Sequence, residues 1–341
     1  MESPGSPGPS AAFTAVFEEN AGPGGVMSFD TFMGLALYHE RVGYYRRAGP
    51  RVGFGGGTDF FTATSTGPVF GELVAAACVE LMGPDAAGAA TFVEIGAEPG
   101  GGVLAGARHP FAAVRTVSLG EPVELAGSCV VFSNELFDAQ PCRRVVFRGA
   151  AWRERGVALR AGRLEEVDLG AAAPTPGALP PAAREGAIID APVAAAALME
   201  AIASQPWSGL IVACDYGKSW AELAGACPEG TLRAYHRHRQ SNDILALPGE
   251  QDLTCHVCWD WLAAALASRG FEAPRVEAQE SFLVHHAAAA IAAISTAEAG
   301  RHSPRKGALM QLIHPGGMGR KFQVLHARRA KIPLPPGGPA P

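Results

Sequence analysis

The sequence has no excess of positive charge, no long apolar run and no ordered set of cysteines, and each absence removes a class of function. Lys and Arg number 28 against 33 Asp and Glu, for a formal net charge of −5. No overall positive field would hold a polyanion, so nucleic acid is not the expected partner. The longest apolar stretches, such as His285 to Ile294, are Ala-rich and too short to span a bilayer. Met1 to Ser10 is rich in Ser, Gly and Pro and carries neither the basic nor the apolar region of an export signal. Together these predict a soluble, cytoplasmic protein without a membrane partner.

The seven cysteines, Cys78, Cys129, Cys142, Cys214, Cys227, Cys255 and Cys258, follow no pairing pattern and read as reduced thiols. Cys255 and Cys258 form a C-x-x-C, but no second pair supplies the remaining ligands of a zinc site. They read as small buried thiols, and no metal is expected.

Apolar material, by contrast, is plentiful. Hydrophobic residues make up 48% and charged residues 18% of 341, enough for one large α/β domain or a core carrying an insertion. Ser28 to His39 has apolar residues at helical spacing behind a Ser N-cap, and Val69 to Met82, entered through Gly67-Pro68, reads as a second helix. Thr91 to Ile95 reads as a buried strand that runs into the glycine-rich loop Gly96 to Gly102, with a helix-like segment to Ala107 after it. Val114 to Ser118, Cys129 to Ser133 and Ile211 to Cys214 are further strands. Pro192 to Ile202 and Trp259 to Ser268 read as helices, and Lys321 to Ala327 as a closing strand.

Strands that alternate with helices predict a doubly wound α/β fold, a parallel sheet with ligands at the carboxyl ends of its strands. From Arg143 to Leu169 the pattern alternates polar and apolar and is broken by Gly149, Gly156 and Gly162, which predicts an antiparallel meander inserted beside the core. The expected organisation is a flexible terminus over 1–25, a helical covering segment over 26–90, a core over 91–330 with its insertion around 143–190, and a flexible tail over 331–341.

Candidate chemistry gathers where strands end. Val93 to Gly102 places Glu94 at a strand end, followed by glycines that let backbone N–H groups approach a ligand. Such turns serve dinucleotides, phosphates, adenosylmethionine or plain packing. No Lys-Ser/Thr follows for phosphate, and the second strand exits at Ser118 without the carboxylate that a dinucleotide ribose needs. Glu121, just downstream, reads as a turn residue. Asn134, Glu135 and Asp138 follow another buried strand and suit a sulfonium cofactor's amine or a cationic substrate; Asn134 and Asp138 equally suit helix capping. Asp215-Tyr216-Gly217 repeats the arrangement, and two acidic strand ends make a pocket fit for a guanidinium.

At these residues the chain resembles the MidA-type class I methyltransferase family, relatives of the mitochondrial complex I assembly-factor arginine methyltransferase. The resemblance rests on Ser28-Phe29, Tyr38-His39, Gly43-Tyr44-Tyr45, Asp59 to Ala63, Pro68 to Glu72, Asn134-Glu135 through Pro141 and Asp215-Tyr216-Gly217. It continues through Gly230 to Tyr235 with His238, Pro248-Gly249, Gln251 to Thr254 and His256-Val257.

The resemblance implies a class I methyltransferase fold, S-adenosylmethionine as cofactor and a protein substrate methylated on arginine. It implies Asn134, Glu135 and Asp138 as catalytic residues. Glu94, Gly96, Ala97, Gly100, Ser118, Phe70 and Gly71 would hold the cofactor, and Tyr44, Asp59, Phe60, Thr62, Asp215, Tyr216 and His256 the substrate. Arg233 and His238 fall in similar blocks and equally suit structural roles. Glu98 stands where the family's middle loop glycine falls, and the segment from Ser118 to Cys129 is short. The alternative is therefore a catalytically inactive scaffold of the same fold that binds a partner protein without the cofactor.

Overall fold

The structure, a computed structural model, describes residues 8–47, 63–97, 101–300 and 302–330. These divide into two compact units, one drawn from residues 1–60, 137–197 and 218–261, the other from 61–136, 198–217 and 262–341. The units therefore interleave along the chain.

The first unit opens with a helix, Ala11–Asn20, inside the stretch predicted to be flexible. Ser10 accepts the Phe13 N–H at 3.2 Å as N-cap, and Phe13, Val16 and Phe17 bury one helical stripe. Helix Phe29–Tyr38 follows with Ser28 at its N-cap position, close to the predicted limits. The predicted meander is present as antiparallel strands Arg143–Arg148, Ala151–Arg160 and Arg163–Ala171. Its turns, Gly149-Ala150 (φ 57° and 63°) and Ala161-Gly162 (φ 48° and 76°), have both residues at positive φ, the two-residue geometry that matches strand twist. Val26–Ser28 and Ile188–Ala191 complete this five-stranded sheet.

The second unit is built on a six-stranded sheet of β1 (Thr91–Ile95), β2 (Ala113–Val117), β3 (Gly127–Asn134), β4 (Trp207–Asp215), β5 (Glu272–Ala278) and β6 (Gln323–Arg329). Its order is β5-β6-β4-β3-β1-β2; β2, β1, β3 and β4 are mutually parallel, and β6 runs antiparallel to β4 and β5. Helices α1 (Pro68–Met82), α2 (Gln279–His286), α3 (Ala288–Ala297) and α4 (Pro304–Ile313) belong to the same unit. Phe70, Leu73, Val74 and Ala77 of α1 share one buried cluster with Phe92, Phe132, Leu210 and Val212 of the sheet. Each large apolar side chain so buried contributes about 1.5–3 kcal/mol relative to exposure.

One expectation fails in this unit. Residues 101–106 form turns rather than the helix predicted up to Ala107. Gly101, Gly102 and Gly106 all lie at positive φ (114°, 74° and 73°), a conformation incompatible with a continuous right-handed helix.

Candidate functional site

The chain leaves β1 to form β2 on one side, then returns to form β3 on β1's other side. This reversal of strand order opens a crevice at the carboxyl ends of β1 and β3, the usual place for a ligand in an open α/β sheet. The residues at that edge are Glu94, Gly96, Asn134 and Glu135, with Asp215 ending the neighbouring β4.

Glu94 is 4% exposed, and its Oε2 accepts the Val103 N–H at 2.6 Å. The carboxylate thereby ties the end of β1 to the turn beyond it. Gly102 must be glycine here, because a Cβ would sit 2.3 Å from the same Oε2. Gly96 is exposed, has φ 78°, and donates its N–H to the Val117 carbonyl at 2.9 Å. Ala97 is half-buried beside it. Gly100, together with Glu98, lies outside the described residues.

Ser118 ends β2 in the open, and its N–H donates to Glu121 Oε2 at 2.7 Å, so Glu121 closes the turn it stands in. Phe70 and Gly71 serve the packing of α1. Phe70 is fully buried, edge-on to Phe132, and Gly71 approaches so close to the following turn that a Cβ would lie 2.1 Å from the Val103 carbonyl oxygen.

The exit from β3 carries an unusual backbone. Glu135 has φ 51°, a left-handed conformation that costs an L-residue about 1–2 kcal/mol. Residues held in this way concentrate at functional sites. Its N–H donates to the Cys214 carbonyl at 2.9 Å, and its Oε1 accepts Asn134 Nδ2 at 3.1 Å. Asn134 Oδ1 is buried and accepts no hydrogen bond among the described residues. No helix begins within residues 134–140, so the capping alternative for Asn134 and Asp138 does not hold.

Asn134 pairs with Cys214 in the β3–β4 ladder, which brings Glu135 and Asp215 to neighbouring positions just beyond it. The Cys214 thiol registers both acids: its pKa is pushed well up by burial first, then by Asp215, with Glu135 contributing less. Asp215 is fully buried and accepts the Tyr216 N–H at 2.9 Å; Tyr216 packs edge-on against Phe322.

The remaining described candidates belong to the first unit. Asp138 is 3% exposed, and its backbone carbonyl accepts the Cys255 N–H at 2.8 Å. Tyr44 is fully buried, edge-on to Tyr45. Sequence reasoning missed the group beside it. Tyr38 stacks on Tyr45 and donates its hydroxyl to the Ala139 carbonyl at 2.8 Å, while Tyr45 donates to Asp252 Oδ1 at 3.0 Å. Burial, reinforced by Asp252, pushes both phenols well above their ordinary pKa, so they remain donors. Tyr45 and Asp252 are 207 positions apart, and no local signal joins them.

His256 has its pKa lowered to about 4, by burial first and then by Lys218 and Arg233, which keeps the imidazole neutral near pH 7. Arg233 donates to the carbonyls of Leu232 and Gly230, a structural role. Arg237 and His238 form a positive-φ turn between strands Arg233–His236 and Arg239–Ser241. Cys255 and Cys258 are buried free thiols. Asp59, Phe60 and Thr62 lie outside the described residues.

The chain resembles methyltransferases. A family model described as "Putative S-adenosyl-L-methionine-dependent methyltransferase" matches residues 114–276. A solved protein from Burkholderia thailandensis, described as a "likely methyl transferase" and bound to S-adenosyl-homocysteine, is 25% identical with a TM-score of 0.77 over 94% of this chain and 93% of its own. An uncharacterised protein of the same superfamily and organism is 26% identical, with a TM-score of 0.74 over 94% and 91%. No curated protein matches the sequence. The cofactor named by the family description is S-adenosylmethionine, and the ligand of the solved relative is its demethylated product. Among the described residues no helix is long and apolar enough to cross a membrane.

Proposed function

We propose that the chain is a cytoplasmic, S-adenosylmethionine-dependent methyltransferase of the MidA type that modifies an arginine side chain of a protein. The observation that carries this is the pairing of two carboxylates, Glu135 and Asp215, at the ends of adjacent parallel strands beside the reversal of strand order. The strand order supports a class I methyltransferase sheet, with β5 and β6 as its far edge.

The residues fit the cofactor. Gly96 is exposed at the end of β1 with the Leu136 side chain beside it, and the Oδ1 of Asn134, without a hydrogen-bond partner among the described residues, is an acceptor suited to an ammonium group. When bound, the cofactor supplies an electrophilic methyl on sulfur. The chain's own part is to orient a cationic acceptor through Glu135 and Asp215 and to hold it away from water. A planar guanidinium suits two carboxylates better than one.

The inactive-scaffold reading keeps one observation in its favour: among the described residues no helix N-terminus directly follows the glycine loop, where one would otherwise receive a ligand. Methyl-labelled S-adenosylmethionine added to host-cell lysate with wild-type protein or the Glu135→Ala variant tests the proposal. Methylarginine in a labelled band, dependent on Glu135, is expected. Label on another residue type would refute arginine, and no label would favour the scaffold.

A further inference from the structure

At the far edge of the second unit's sheet, away from the β1–β3 switch point, stands a cluster that the methyltransferase reading leaves unused. Glu277 lies on β5, His286 in the last turn of α2, the helix that follows it, and His326 on β6, the strand paired with β5. His326 Nε2 lies 3.0 Å from Glu277 Oε1, and His286 Nε2 lies 3.3 Å from the same oxygen. The other carboxylate oxygen, Oε2, lies 3.1 Å from His285 Nδ1. One ligand atom from each of Glu277, His286 and His326 falls within a 4.8 Å spread.

We propose that Glu277, His286 and His326 form a binding site for a divalent transition-metal ion of the zinc class. The argument is geometric. A tetrahedral ion with ligand bonds of about 2.0–2.1 Å holds its ligand atoms roughly 3.3 Å apart. The observed nitrogen–oxygen separations of 3.0 and 3.3 Å already match that spacing. Imidazole and carboxylate are the donor set that zinc and its neighbours prefer, whereas Ca²⁺ and Mg²⁺ require oxygen-rich shells.

The surroundings are those of a built site rather than a chance surface group. His326 is 6% exposed, and the fully buried Phe282 ring lies against both imidazoles, at 5.1 Å from His286 and 5.4 Å from His326. Packing of that kind fixes ring orientation before an ion arrives. His285 remains exposed, which leaves one side open for entry. An ion here would clamp α2 to the two strands that end the sheet, a stabilising role independent of methyl transfer.

The test uses full-length protein stripped of metal with a chelator. Titration with ZnCl₂ against a chromophoric chelator, together with elemental analysis after dialysis, is expected to give one zinc per chain. The melting temperature should rise on addition. Substitution by Co²⁺ should give visible bands of a nitrogen–oxygen site without thiolate charge-transfer absorption, which separates this cluster from Cys255 and Cys258. Glu277→Gln and His286→Gln should each lower affinity at least tenfold, and the exposed His285→Gln, which leaves the buried packing intact, should lower it less. Failure of the wild type to take up zinc, or equal uptake by Glu277→Gln, His286→Gln and His285→Gln, overturns the site.

Discussion

The Glu135 N–H donates to the Cys214 carbonyl at 2.9 Å, which fastens the end of β3 to β4 while Glu135 occupies the left-handed region at φ 51°. The backbone at this residue is held by its neighbour strand, and the side-chain Oε1 accepts Asn134 Nδ2 at 3.1 Å. Glu135→Ala is therefore expected to lose methyl transfer by about 100-fold or more while changing unfolding free energy by less than about 1 kcal/mol. Glu135→Gly should be about 1 kcal/mol more stable than Glu135→Ala, because glycine carries no penalty at this φ, and equally inactive. Paired urea unfolding and turnover measurements check both; retained turnover in either variant removes Glu135 from the site.

Gly71 and Val103 are in a similarly exacting relation, since a Cβ on Gly71 would meet the Val103 carbonyl oxygen at 2.1 Å. Backbone cannot swing aside as a flexible side chain can. Gly71→Ala should cost roughly 2–3 kcal/mol of stability and weaken S-adenosylhomocysteine binding tenfold or more, because the turn that Glu94 holds must move. Wild-type stability in this variant would contradict the packing described.

Legibility of the fold in the sequence followed the range of the signals. β1, β3 and β4 were readable because β-branched runs end at polar or glycine residues, and the meander because its turns need residues tolerant of positive φ. The helix Ala11–Asn20 was obscured by the Ser/Gly/Pro-rich stretch before it, although Ser10 with Phe13, Val16 and Phe17 was a usable signature. The glycines after β1 suggested a helix start by analogy, but their positive φ values make successive turns. The candidate edge was legible as strand exits. Contacts such as Tyr45 to Asp252, or Glu277 to His326, depend on tertiary placement and leave no periodic trace.

Asp190 holds the first unit's sheet to the segment that follows Gly230. It is 2% exposed, its Oδ1 accepts Arg144 Nη1 at 2.6 Å, and its Oδ2 accepts the N–H groups of Thr231 and Leu232 at 2.6 and 2.9 Å. Removing the carboxylate strands two buried amides and leaves the buried Arg144 guanidinium with Glu166 as its remaining ion-pair partner. Asp190→Ala should destabilise by roughly 3–5 kcal/mol in denaturant titration. A loss below 1 kcal/mol would show that the hub is dispensable.

His256 supplies a pH signature. Its folded pKa of about 4, lowered by burial first and then by Lys218 and Arg233, lies below the 6.5 of an unperturbed imidazole. Between those values the unfolded chain binds the extra proton, so the neutral ring's contribution is fully present above pH 6.5 and is lost as the pH falls toward 4. The loss amounts to at most about 3 kcal/mol. Melting curves from pH 7 to pH 4 should therefore fall less steeply for His256→Gln than for the wild type, and parallel curves would contradict the assignment.

The central claim is that the edge at Gly96 and Asn134 accepts S-adenosylmethionine. Calorimetric titration of the full chain with S-adenosylhomocysteine addresses it without any need to know the acceptor. Binding with a dissociation constant on the order of 1–100 μM, weakened in Asn134→Ala, is the expected result. An absence of heat at roughly millimolar ligand from a folded protein would contradict it.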